Sequence, residues 1–72
     1  MTRAEAVIAK HVAGAVEWRR RAKGLSQRRF AILLDVHPSY VNHLEAGRRV
    51  PSLGLLYRIT ALLACSAGEL LP

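Results

Sequence analysis

Helix start and stop signals divide this 72-residue chain into five short segments, and no segment alternates apolar and polar residues for long. "TRAE" at 2–5 has the spacing of a capping box, with Thr2 as N-cap and Glu5 reaching back. Gly24 stops the segment that follows, and the cations of its last turn suit the helix dipole. Ser26 caps a second segment, and Asp35 with Val36 makes the turn after it. Pro38 fits the first turn of a third, where a missing N–H costs nothing, and Gly47 ends it. Pro51 and Ser52 restart the chain, and Ser66 with Glu69 repeats the capping-box spacing. The expected helices are about 3–23, 26–34, 38–46, 52–64 and 66–71, forming one domain over 1–72. The expected fold class is all-α, a compact five-helix domain, with no strand, repeat or low-complexity region.

Apolar spacing assigns the inward faces. In the first helix Ala4, Ile8, His11, Ala15, Trp18 and Ala22 fall at helical spacing, with Val12 and Val16 alongside. That stripe is expected to face the core, with His11 as a core or boundary residue. Gly14 is a mild weakness in its middle. Phe30, Ala31 and Leu34 face inward from the second helix, and Leu53, Leu56, Ile59, Thr60 and Leu63 from the fourth. A lone cysteine, Cys65, excludes an intrachain disulfide and a Cys-rich metal site; it reads as a small core residue in a reducing cytoplasm.

The formal net charge is +6, and its placement says more than its size. Residues 18–34 hold Arg19, Arg20, Arg21, Lys23, Arg28 and Arg29 with no acid among them, and Arg48 and Arg49 follow. Such clustering is the footprint of a polyanion-binding surface. No signal peptide is expected, and Arg58 and Glu69 interrupt the most apolar stretch, which argues against a membrane span. A basic amphipathic membrane peptide needs one continuous cationic helix, whereas Gly24, Gly47 and Pro51 divide the charge among several.

The third segment narrows the reading. On a helical wheel Val41 and Leu44 point inward, while Ser39, Asn42, His43 and Ala46 lie on the other side with Tyr40 at its flank. Solvated helix faces favour Glu, Lys and Arg over Ser, Asn and His. Hydrogen-bonding side chains on short or rigid stems suit a helix that reads base edges in a DNA major groove, with basic neighbours holding phosphates.

The stretch "KGLSQRRFAILLDVHPSYVNHLEAGRRVPSL" resembles the Cro/C1-type (XRE-like) helix-turn-helix family of bacterial and phage regulators. The likeness runs from about Arg20 to Leu71, and rests on "GLSQ", the short turn, "SYV..LE.GRR.PSL" and the final "EL" together. It implies a lambda-repressor-like domain in which the second and third helices form the motif and the third enters the groove. By that resemblance Ser39, Asn42 and His43 occupy base-reading positions, and Tyr40 a backbone or base-edge contact. Gln27, Arg28, Arg29, His37, Arg48, Arg49 and Ser52 occupy phosphate-contacting positions, the last at a helix N-terminus. Arg20 and Glu45 resemble a structural ion pair tying the first helix to the third.

Four positions depart from the pattern. Pro38 stands where a polar residue often reaches DNA, and Ala46 is smaller than usual. Arg28 and Arg29 occupy a first turn where acids are commoner, opposing the helix dipole at about 0.3–1 kcal/mol each, which a nearby phosphate would offset.

The expectation is a cytoplasmic, non-enzymatic, sequence-specific transcription regulator, for instance a repressor. It binds double-stranded DNA as a homodimer on an inverted repeat. Its dimer surface would lie on the fifth helix and the end of the fourth, at Leu62, Leu70 and Leu71. The resemblance extends to restriction-modification controller proteins as a subtype. No cofactor or metal is expected: His37 and His43 are six residues apart, pointing to different sides of one helix, and no nucleophile, base and orienter are assembled. A second class of reading is an antitoxin-like protein-binding module, which an exposed patch at Leu55, Leu62, Leu70 or Leu71 would favour.

Overall fold

The computed structural model describes all 72 residues as five helices and no strand. They are α1 (Arg3–Ala22), α2 (Gln27–Leu34), α3 (Pro38–Glu45), α4 (Leu53–Leu63) and α5 (Ala67–Leu70). The expected five-helix, all-α architecture is what forms. Thr2 and Glu5 close a capping box on α1, and Ser66 and Glu69 close another on α5. Ser26 Oγ accepts the Arg29 N–H, and Ser52 Oγ accepts the Leu55 N–H.

The C-termini use the left-handed region. Gly24 (φ 72°) follows α1, and the Leu25 N–H returns to the Arg20 carbonyl to seal the last turn. Gly47 (φ 76°) follows α3, and its left-handed backbone is the reason for glycine; a Cβ there would stand at ordinary contact distance, 3.6 Å, from Lys10 Cα, so the chain passes close beside α1.

The core is one cluster drawn from every helix: Val12 and Val16 of α1, Phe30, Ala31 and Leu34 of α2, Val41 and Leu44 of α3, Leu55, Leu56, Ile59 and Leu63 of α4, and Leu70 of α5. No buried side-chain nitrogen or oxygen lacks a partner. Phe30 is fully buried, and its truncation to Ala belongs to the class that costs about 3–5 kcal/mol.

Two inward faces differ from expectation. Helix α1 buries Ala9, Val12, Ala13, Val16 and Arg20. Of the stripe from Ala4 to Ala22, Ile8 and Ala15 are half-buried against the core, while Ala4, His11, Ala22 and Trp18, the last 69% exposed, face outward. The small side chains of Ala9 and Ala13 explain the rotation, because they permit the close approach at Gly47 and carry Arg20 to α3. On α4, Leu53 is 69% exposed and Leu55 takes its place in the core. Leu53 stands just inside the Ser52 cap, at the N-terminal edge of the helix, where the core does not reach. Cys65 is half-buried against the cluster and is a free thiol.

Candidate nucleic-acid interface

Helices α2 and α3 are held in fixed relation by one carboxylate. Glu45 accepts from Arg20 Nε at 2.6 Å and Nη2 at 2.9 Å, and from Gln27 Nε2 at 3.0 Å. Arg20 Nη1 donates onward to the Leu25 carbonyl at 2.7 Å. Both charged side chains are buried, at 7% and 3% exposure, so the fork bonds in low dielectric. Hydrogen bonding to Glu45 holds the Arg20 guanidinium above its ordinary pKa, against the opposing effect of burial. The group joins α1, the α1–α2 connection, α2 and α3 at one point. Gln27, expected at a phosphate, commits one amide hydrogen to this joint and so helps position α2, leaving its second N–H free.

The face of α3 opposite Val41 and Leu44 is polar and open. Ser39 and Asn42 are exposed, and Tyr40 and His43 are half-buried on its flanks. His37 is the N-cap of α3: its Nδ1 accepts the Ser39 N–H at 3.1 Å and lies 2.8 Å from Ser39 Oγ. In the neutral ring Nδ1 is then the acceptor, so the proton sits on Nε2. The exposed His37 therefore offers an N–H donor while its other nitrogen starts the helix. Desolvation raises the Tyr40 phenol above its ordinary pKa, partly opposed by the charge of Arg49. Tyr40 thus keeps its O–H donor across the physiological range.

The arginines divide into two groups. Arg19 meets Glu69 at 3.2 Å, Arg20 meets Glu45, and Arg21 meets Glu17 at 3.0 Å. Arg28 and Arg29 at the start of α2, and Arg48 and Arg49 just after α3, are exposed and pair with no carboxylate. Arg3, Lys10, Lys23 and Arg58 also meet no carboxylate, but only these two arginine pairs stand at the ends of the α2–α3 segment, before and after the polar face of α3 in the chain. The Ser52 hydroxyl accepts the Leu55 N–H at the start of α4 and keeps its own hydrogen for an acceptor outside.

The residues expected at a dimer surface separate. Leu62 is half-buried and Leu71 is 36% exposed, but Leu70 is fully buried in the core. Leu70 is the one apolar anchor α5 has, so it turns inward and offers nothing to a partner. Leu55, weighed for an exposed patch, is buried too. No His, Cys, Asp and Glu side chains gather where they would hold a metal ion. No helix is long and apolar enough to cross a membrane.

Several positioning contacts escape the sequence. Gln27 and Glu45 are 18 residues apart, and Arg58, whose Nη1 donates to the Leu34 carbonyl at 3.0 Å, is 24 from its partner. No local pattern marks such pairs. The His37 cap was within reach, because an acceptor directly before Pro38 occupies the N-cap position.

Residues 16–70, well over half of the chain, match the helix-turn-helix family. No curated protein matches the sequence. Among solved structures, the restriction-modification controller protein C.AhdI from Aeromonas hydrophila is 32% identical with a TM-score of 0.79, covering 86% of this chain and 94% of its own. The hypothetical transcription factor NHTF from Neisseria is 26% identical with a TM-score of 0.83, over 90% of this chain and 75% of that one. Hydroxypropylphosphonic acid epoxidase from S. wedmorenis is 28% identical with a TM-score of 0.85; the match covers 92% of this chain and spans only 35% of the epoxidase.

Proposed function

Because the chain belongs to the helix-turn-helix family of Cro/C1-type DNA-binding regulators, we propose that it reads a specific operator with α3 in the major groove. One observation carries this reading: the polar face of α3 is exposed between two pairs of arginines that no carboxylate neutralises. Ser39, Asn42 and His43 contact base edges, and Tyr40 adds a donor at the flank. Arg28, Arg29, Arg48, Arg49, the Nε2–H of His37 and the Ser52 hydroxyl hold phosphates and fix the register. Arg20 and Glu45, buried in their ion pair, set the angle between α2 and α3, and Gln27 joins them through one N–H while its second stays free for a phosphate.

The protein acts in the cytoplasm, as a homodimer on an inverted repeat. Two-fold symmetry would place two α3 helices in successive major grooves, about 34 Å apart. Leu62 and Leu71 supply the apolar part of the dimer contact. The likeness to C.AhdI over nearly its full length supports a restriction-modification controller as the subtype. Similarity to the epoxidase covers about a third of that enzyme and carries no activity across.

The test is selection of the purified protein on a random-sequence duplex library. Enrichment of an inverted repeat is expected. Binding without enrichment, fading as salt rises, would show that the basic surface only tracks phosphate. A protein-binding role, as in antitoxin-like domains, would then replace this reading.

A further inference from the structure

Helix α1 has two apolar faces, and the fold covers the second only along one edge, where Ile8 and Ala15 pack half-buried against the core; Ala4, Val7, His11, Trp18 and Ala22 are left exposed. At about 100° per residue this second face forms a wedge roughly 120° wide without one Lys, Arg, Asp or Glu. The core-facing residues of α1 lie on the opposite side of the helix. Ala4, Ile8, His11, Ala15, Trp18 and Ala22 are spaced alternately by four and three residues. That is the repeat of about 3.5 by which one helix seats along another. A solvated helix face does not need it, and a helix apolar on both sides is normally covered on both.

We infer that this face pairs antiparallel with α1 of a second copy of the chain. In that register Trp18 would lie on Ile8 of the second copy, His11 on its Ala15, and Ala4 on its Ala22, so the two bulky Trp18–Ile8 pairs stand on either side of the axis and small alanines close the ends. Charge selects the direction. Glu5 flanks the wedge on the same side as Arg19, and the antiparallel register brings Glu5 of each copy to Arg19 of the other, twice by symmetry. Arg19 already meets Glu69 at 3.2 Å and lies 6.0 Å from the Trp18 ring centroid, so it is held at the seam's edge. A parallel pair would offer Arg19 no acid and align the two helix dipoles. Gly14 lies near the two-fold axis, where a Cβ would meet nothing within 4 Å in the monomer, so the backbones can approach closely there. A shallow groove between α1 and α5, lined by Lys10, His11, Gly14, Trp18, Arg19 and Glu69, receives the flank of the second helix. This contact lies outside α2 and α3 and does not depend on the operator reading. It uses other residues than the contact at Leu62 and Leu71.

Trp18 is the chain's one tryptophan, so its emission reports this seam directly. Raising the concentration of the full chain should shift that emission to the blue. In a Cys65→Ser background, Gly14→Cys should oxidise to a linked dimer. Ala22→Cys should not, since its mate would lie about 27 Å away at 1.5 Å per residue. Trp18→Lys, a substitution at an exposed site, should keep native helicity and lower the linking of Gly14→Cys at least about tenfold, as expected for a central aromatic anchor. Linking at Ala22 but not at Gly14 would overturn the antiparallel register. Unchanged Trp18 emission with no linking at Gly14 would overturn the seam, even if the chain still dimerised through Leu62 and Leu71; the homodimer proposed above would then stand alone.

Discussion

Glu45 is the residue on which the interface depends most, because three donors converge on it from two other elements. Removing it strands the Arg20 guanidinium in a buried site. Glu45→Ala should therefore cost about 3–5 kcal/mol, against a total of roughly 4–11 kcal/mol expected for a chain this size. A melting temperature within a degree or two of the parent would show that the fork contributes nothing. His43 and Arg48 separate two kinds of contact. His43→Ala should change base preference at particular operator positions by about 1–3 kcal/mol. Arg48→Ala should weaken binding to all sequences and reduce the slope of log K against log salt by about one. Binding to matched and mismatched duplexes across a salt series checks both, and a uniform loss for His43→Ala would remove it from the base-reading set. Tyr40 gives a pH signature. Its phenol titrates above the ordinary tyrosine value in the folded chain, so above about pH 10 the folded state holds a proton that the unfolded chain releases. Stability is intact below that pH and should fall as pH rises through the raised pKa. Absorbance at 295 nm, compared with a Tyr40→Phe variant, should show Tyr40 ionising above the ordinary tyrosine range.

At the scale of elements, the caps explain how such short helices persist. Helices α2 and α3 have eight residues each, below the length at which isolated helices are stable, so caps and packing hold them. Ser26 and His37 start them, and Asp35 and Gly47 end them in or beside the left-handed region. Helix α4 ends less comfortably, with Ala64 at φ 54°. That conformation costs a non-glycine residue roughly 1–2 kcal/mol, whereas glycine's extra freedom in the unfolded chain costs about 0.4–1. Ala64→Gly should raise stability by about 0.5–1 kcal/mol, and a thermal melt showing a loss would mean that the methyl packs usefully. Starts and stops were legible because caps are local chemistry: Thr2, Ser26, Ser52 and Ser66 each accept an N–H three residues on. The inward face of α1 was not legible, because the helix carries two apolar faces and periodicity cannot rank them.

The whole molecule decides which charges and leucines are free. Eleven cations face five acids, and the fold places four of those acids against partners away from the outer face of α3. Arg28, Arg29, Arg48 and Arg49 are left unneutralised beside it. Of the leucines near the C-terminus, Leu71 is the exposed one at 36%. Leu71→Asp should therefore leave the monomer folded while weakening the homodimer and its affinity for a two-half-site duplex more than for a single half-site; equal losses on both would exclude Leu71 from the contact. By itself, the sequence determined the number and type of elements, the turns between them and the polar character of the α3 face, because capping, glycine stops and helical spacing act within a few residues. Only the tertiary structure decided which face of α1 is buried, that Leu70 belongs to the core, and that Gln27 donates to Glu45. Each of these is a competition among residues 18 or more apart for one small interior, and it is settled by shape and by the need to satisfy a buried charge.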